Sequence, residues 1–186
     1  MVLVSGVHKG ETLVGEHSRE MYVRLFVQLV VCEFSGLITV SFGSHKRVIG
    51  LLQGRPAYYS SNLAEDELRR TLVQSQLIPA KRMKWLEDKM DDAETLDEVV
   101  LLTGTLSKEA LAGHLLERVR MGIGAPLRWG KGTWEVEPLF ELGEVPVDAR
   151  LLPALDGVAG LWQGVQAQVS VDEVFPLLSA SEGLEF

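Results

Sequence analysis

The stretch from residue 36 to residue 60, GLITVSFGSHKRVIGLLQGRPAYYS, limits what this chain can become more than any other. Residues 37–42 are rich in β-branched and aromatic types and read as a strand. Gly43, Ser44 and His45 supply a residue that tolerates positive φ and two small or polar neighbours, so the chain reverses there. Residues 48–52 return along the first strand. A second reversal at Gly54, Arg55 and Pro56 leads into a short strand over residues 57–59. Three short strands joined by tight turns form a meander, and its apolar face needs a cover. The helical patterns that follow, to about residue 125, are suited to supply one. Nothing in the meander is a reaction centre, which points to a binding or regulatory module.

A chain of 186 residues holds one domain, or one domain with a helical addition. At this size roughly 70% of the unfolded surface can be buried, so neither disulfide nor metal is required for stability. The composition, 46% hydrophobic and 24% charged, is that of globular material rather than disorder. Cys32 is the single cysteine and lies in an apolar run, as expected of a small buried hydrophobe in a reducing compartment. With a net charge of −8 and 18 unclustered Lys and Arg, the chain is expected to repel a nucleic-acid backbone. No apolar segment reaches the length of about 18 residues that a membrane span needs, so no membrane insertion is expected. The N-terminus lacks the order of a signal peptide, and a cytoplasmic location follows as the expectation.

Residues 1–17 contain three glycines and no sustained period, and read as a loop or a short extra strand. Ser18 is placed to cap a helix running to about Cys32. Its polar residues Glu20, Arg24 and Gln28 recur every four positions on one narrow stripe, and the rest of its surface is apolar. A helix of that kind is sandwiched inside the fold or shared with a second copy. On the second alternative Tyr22, Leu25, Phe26 and Leu29 would form a homodimer surface. After the meander, Asn62 and Glu65 have capping-box spacing ahead of a helix to about Ser75. Pro79 opens another, with Met83, Leu86 and Met90 inward. Thr95 and Glu98 form a second capping box, for a short helix stopped by Gly104. Ser107 caps a longer helix with Leu111, Leu115 and Val119 inward, fading at Gly122 and Gly124.

These helices contain a repeat. Residues 68–83 align with 96–111, 28 positions on, and apolar positions 68, 72, 73, 78 and 83 match 96, 100, 101, 106 and 111. Each unit is a helix, a turn carrying one apolar plug (Ile78 or Leu106), and a second helix. A single pair cannot bury its own face, so two stacked pairs are expected. Residues 126–138 then read as a turn at Gly130, Lys131 and Gly132, followed by a strand over 133–137 that returns to an edge of the sheet. Residues 139–186 carry a weak helical pattern from 149 to 168 and no obvious compact domain. They read as an appendage.

The order of these signals, from Ser35, Gly36 and Leu37 through the Gly54–Ala57 turn, Glu67–Leu68 and Leu96–Leu115 to Trp129–Glu135, resembles the PATAN family of bacterial signalling domains. The likeness covers about residues 20–138. It implies a non-enzymatic module of response pathways whose relatives act through contacts with pilus-type ATPases or small GTPases. The helical repeat is also similar to the N-terminal domain of type II secretion and pilus ATPases, where an Arg-Leu-Gly-x-x-Leu motif can bind a cyclic dinucleotide. The matching places here, residues 67–72 and 95–100, lack the glycine, and the second puts Asp97 and Glu98 where a phosphate needs cations.

Other candidate sites have plainer explanations. Gly130-Lys131-Gly132-Thr133 lacks both the upstream Gly and the Ser or Thr directly after Lys that a phosphate loop requires. Gly122-Ile123-Gly124 ends a helix rather than opening one. The histidines at 8, 17, 45 and 114 show no metal-ligand spacing, and no Gly-x-Ser-x-Gly elbow occurs. His114 is expected at a surface or boundary. The acidic run Glu87, Asp88, Asp91, Asp92, Glu94, Asp97 and Glu98, opposed by Lys89, is a solvated face or a docking surface for a basic partner. Of the four tryptophans, Trp134 alternates inward with Val136, whereas Trp85 and Trp162 are the interface candidates.

The expected fold is α+β: a small antiparallel meander sheet covered by an N-terminal helix and two helical hairpins, with a C-terminal helical appendage. The boundaries are 1–17, 18–138 (sheet 36–60 and 133–137, helical repeat 63–124) and 139–186. The expected function is a non-enzymatic protein-interaction adaptor in bacterial signal transduction or surface motility, needing no cofactor or catalytic residue. It would dock a small GTPase, a pilus-type ATPase or a response regulator through Trp85, Asp88, Asp91, Asp92 and Trp162. The alternative is a regulatory domain sensing a nucleotide or other small molecule in a pocket between sheet and helices.

Overall fold

The computed structural model of the chain describes residues 11–90 and 95–139, together with 159–161, 163 and 166. In chain order the elements are β1 (Leu13–His17), α1 (Arg19–Val31), β2 (Gly36–Phe42), β3 (His45–Leu52) and β4 (Arg55–Ser61). They continue with α2 (Leu68–Gln74), α3 (Ala80–Glu87), α4 (Leu96–Leu102), α5 (Lys108–Gly124) and β5 (Gly132–Pro138). Short 3-10 turns, Ala64–Asp66 and Ala125–Arg128, precede α2 and follow α5. This is an α+β fold built on an open antiparallel sheet.

The meander β2–β3–β4 forms as its residues dictate, and the sheet order is β1-β5-β2-β3-β4. β5 does return to the outer side of β2, yet it is not an edge. The N-terminal segment supplies β1, which pairs along its other side from Leu13 opposite Val136 to His17 opposite Gly132. The second reversal lies at Gln53 and Gly54, both at positive φ, and Arg55 and Pro56 already belong to β4. A proline is tolerated there because β4 is an edge strand, with a register irregularity opposite Gly50 and Leu51.

α1 starts where Ser18 Oγ accepts the Met21 N–H at 3.1 Å. Tyr22, Leu25, Phe26 and Leu29 follow its 3.6-residue period and are at most 2% exposed. They pack with Ile38, Val40, Ile49, Leu51, Trp134 and Val136 from one face of the sheet and with Val119, Ile123 and Leu127 from α5 and its following turn. The candidate dimer surface is therefore corrected. These four side chains are used up by the sheet of their own chain, and a second copy cannot reach them.

The 28-residue repeat is present in three dimensions. α2 and α4 are each seven residues long and begin at Leu68 and Leu96; α3 and α5 begin at Ala80 and Lys108. Both first helices end in a left-handed residue, Gln76 (φ 59°) and Gly104 (φ 61°). The following N–H reaches back to the third-last helical carbonyl in each, Leu77 to Leu72 at 3.1 Å and Thr105 to Val100 at 3.0 Å. The plug Ile78 is fully buried, and Leu106 packs partly buried against the same cluster of Leu72, Met83, Leu86, Val99 and Val100. The helical cover is thus divided: α1 and α5 cover the sheet, while α2, α3 and α4 cover one another.

Of the two capping boxes expected, Thr95–Glu98 forms. Asn62 does not cap α2. Its Oδ1 accepts the Lys46 N–H and its Nδ2 donates to Ser44 O, both at 2.7 Å, so it clamps the β2–β3 turn instead. The C-terminal region is not wholly an appendage. Residues 159–161, 163 and 166 are helical, and Leu161, 4% exposed, belongs to the main core.

Candidate functional site

The alternation of β3 puts Arg47 on the same face as Ile49 and Leu51, so a guanidinium enters the core at 3% exposure. A buried charge without partners costs several kcal/mol, and every partner here is supplied. Arg47 Nε lies 3.3 Å from Asp66 Oδ2 and 3.2 Å from the Tyr59 hydroxyl oxygen. Its Nη1 donates to Ala125 O at 3.3 Å, and its guanidinium carbon lies 4.5 Å from the centroid of Trp129. Tyr59 donates its hydroxyl proton to Asp66 Oδ2 at 2.8 Å. Burial, reinforced by the Asp66 carboxylate, pushes the Tyr59 pKa up to about 12, which keeps this proton in place.

Arg118 reaches this cluster from α5 and donates Nη2 to the Asp66 backbone carbonyl at 2.6 Å. Its Nε is buried without a hydrogen-bond partner, and no carboxylate lies within ion-pair distance among the described residues. Burial pulls its pKa below the ordinary arginine value, against the opposing influence of Tyr59 and Asp66.

Two chambers open on either side of Tyr59, Asp66 and Arg118. The first, about 400 Å³, is lined by five consecutive residues of β4, 57–61, and faced by Leu68, Arg69, Leu96, Asp97, Leu115 and Val119. Inner-face and outer-face residues of β4 both contribute, so it is the edge of the strand that fronts this chamber. Asn62 N–H bonds to Lys46 O at 3.2 Å, and the antiparallel alternation carries that pairing to Ser60 with Val48 and to Tyr58 with Gly50. The peptide groups of Tyr59 and Ser61 then point away from the sheet, into the cleft.

The second chamber, about 240 Å³, lies between α5, the Ala125–Arg128 turn and Thr71 of α2. His114 Nε2 is 3.0 Å from Thr71 Oγ1, which also lies 3.0 Å from Leu68 O. Burial, aided by the neighbouring Arg118, lowers the His114 pKa, while Glu117 opposes this. His114 is thus a boundary residue, as its place beside Leu111 and Leu115 implies.

The residues singled out from sequence lie elsewhere. Trp85 is 40% exposed on α3, with the Arg82 guanidinium carbon 3.8 Å from its ring centroid. Arg82 is itself held by Thr105 Oγ1, at 3.3 Å from Nε and 3.1 Å from Nη2. Asp88 is exposed and lines an open groove between α2 and α3 with Arg69, Arg70, Lys84 and Glu87. The α3 part of the acidic run, Glu87 and Asp88, therefore sits on a face of mixed sign, with Glu87 3.3 Å from Arg69. Asp97, by contrast, is buried against the first chamber, and Glu98 closes the α4 capping box. Asp91, Asp92 and Trp162 lie outside the described residues. Neither Trp85 nor Asp88 borders the β4 cleft. Sequence reasoning missed Arg47, Tyr59, Asp66 and Arg118. Two signals pointed to them: an arginine in phase with Ile49 and Leu51, and another one residue from the inward Val119.

No protein-family model, curated protein or solved structure matches the chain.

Proposed function

We propose that the chain is a non-enzymatic protein-interaction module that takes an extended segment of a partner as an added strand along β4. The observation that supports this is the β4 edge, which pairs with no further strand among the described residues and fronts a cleft lined by five consecutive strand residues. Five strand residues span roughly 17 Å, enough to pair three or four residues of an incoming chain. The outward peptide groups of Tyr59 and Ser61 supply main-chain hydrogen bonds, and Leu68, Leu96 and Leu115 supply an apolar wall for alternate side chains. Two of the described candidate groups, Cys32 and Tyr59, are held protonated, which favours binding over turnover. Burial pushes the Cys32 thiol up, and the Tyr59 proton is held by Asp66. The PATAN likeness suggests a small GTPase, a pilus-type ATPase or a response regulator as the source of the segment.

The test is selection of heptapeptides from a displayed library, followed by N-methylation of the best binder one residue at a time. Strand addition predicts an alternating pattern: methylation at every second position weakens binding about tenfold or more, and the positions between tolerate it. The Tyr59 and Ser61 amides should also gain protection from hydrogen exchange. Failure to select any peptide, or uniform tolerance of methylation, would remove the reading.

A regulatory domain that senses a small molecule is the second reading. It is favoured by the second chamber, which lies between sheet and helices and shares Arg118 with the first.

A further inference from the structure

We infer that the second chamber is a binding site for a small dianionic oxyanion of the phosphate class, held between Arg118 and Arg128. The inference begins from an accounting of charge around that chamber. Arg47 is neutralised by Asp66 at 3.3 Å, and Glu117 is engaged by Arg120 at 3.3 Å. Arg118 and Arg128 both line the same space of about 240 Å³, neither with a carboxylate within ion-pair distance among the described residues. Glu117 also borders the chamber, but its carboxylate is drawn to Arg120, so the lining keeps an excess of positive charge in a chain of net charge −8.

The chemistry of the lining narrows the ligand. Two fixed positive charges match a phosphate group carrying nearly two negative charges at neutral pH. The exposed Arg128 guanidinium offers paired N–H donors in the geometry that phosphate oxygens accept, and Arg118, whose Nη2 is given to Asp66 O, adds its charge. Arg118 is half-buried, so its field is less screened by water than that of a surface arginine. His114 lines the chamber as well, with Nε2 3.0 Å from Thr71 Oγ1. Met121, 48% exposed, gives the chamber an apolar border on which the organic part of an ester can rest.

This inference is distinguishable from strand addition, because it uses a different ligand and Arg128, which borders the second chamber and not the first. The experiment is calorimetric titration of the whole chain at constant ionic strength with inorganic phosphate and, separately, with glycerol 2-phosphate, using chloride as the control anion. One saturable site for either phosphate, absent for chloride, is the expected result. Tighter binding of the free ion identifies that form as the ligand, and tighter binding of the ester identifies a phosphomonoester. Arg118→Gln and Arg128→Gln should each weaken binding roughly tenfold or more, the scale of one charge-assisted hydrogen bond. Arg128 is exposed and its side chain makes no hydrogen bond among the described residues, so its variant is expected to retain the fold even if Arg118→Gln does not. No saturation up to about 10 mM, or a folded Arg128→Gln that binds like the parent, overturns the inference.

Discussion

Arg47 and His17 show how single side chains in this protein are set by where the backbone puts them. Strand alternation forces Arg47 inward, and Asp66 is the carboxylate that makes its burial tolerable. Asp66→Ala leaves that guanidinium, and the Tyr59 hydroxyl with it, short of an acceptor. The expected loss is about 3–5 kcal/mol in urea unfolding; a loss below about 1 kcal/mol would mean the pair is dispensable. His17, 3% exposed, has Nε2 at 3.2 Å from both Pro126 O and Trp129 O, and its Nδ1 is buried without a partner. Burial lowers its pKa from 6.5, so the unfolded chain takes up the proton at higher pH than the folded one. The contribution of His17 is complete above pH 6.5 and is lost progressively as pH falls from there toward the folded-state value. Melting temperature should accordingly drop on acidification from pH 8 to 5, and less steeply in His17→Gln. Parallel profiles for the two proteins would contradict this.

Elements are governed by local rules until a neighbour overrides them. Gln76 and Gly104 occupy equivalent left-handed positions after α2 and α4, but only one is the residue that adopts this conformation without steric cost. Gln76→Gly should stabilise and Gly104→Ala destabilise, each by about 1 kcal/mol, when compared by chemical denaturation. Equal responses at the two sites would show that the repeat is not equivalent in energy. Within α5 the same chemical change should have opposite signs at two glycines of the one helix. Gly113 has open space around it, so Gly113→Ala should gain about 0.8–1 kcal/mol of helix propensity. At Gly122 an added methyl would overlap the Tyr59 ring, and Gly122→Ala should cost about 1–3 kcal/mol. The pair measures what docking of α5 on β4 adds beyond propensity.

At the scale of the whole molecule, the main core draws on distant parts of the chain, from β1 to Leu161. Leu161→Ala should cost about 2–5 kcal/mol, the loss typical of a core leucine. A cost below about 0.5 kcal/mol would return the C-terminal segment to the status of an appendage. Much of this architecture was legible in advance, because its causes are short-range. The meander follows from β-branched runs and turn residues, α1 from Ser18 and its apolar period, and the stacked helical pairs from a 28-residue repeat. Each depends on residues at most a few turns apart, so the sequence by itself determined the α+β class and the elements within it. Only tertiary structure decided which surfaces remain. Asn62 was drawn from helix capping to the β2–β3 turn, α1 was claimed by its own sheet, and β5 became an interior strand because β1 paired outside it. The cleft is likewise a product of long-range assembly. Arg47, Asp66, Arg118 and Ala125 come from four separate segments, and their convergence depends on how α5 lies across β4. Burial and charge partnership are properties of that packing, which is why Arg118 reads as an ordinary helical arginine in the sequence and becomes, among the described residues, a half-buried cation with no carboxylate at ion-pair distance.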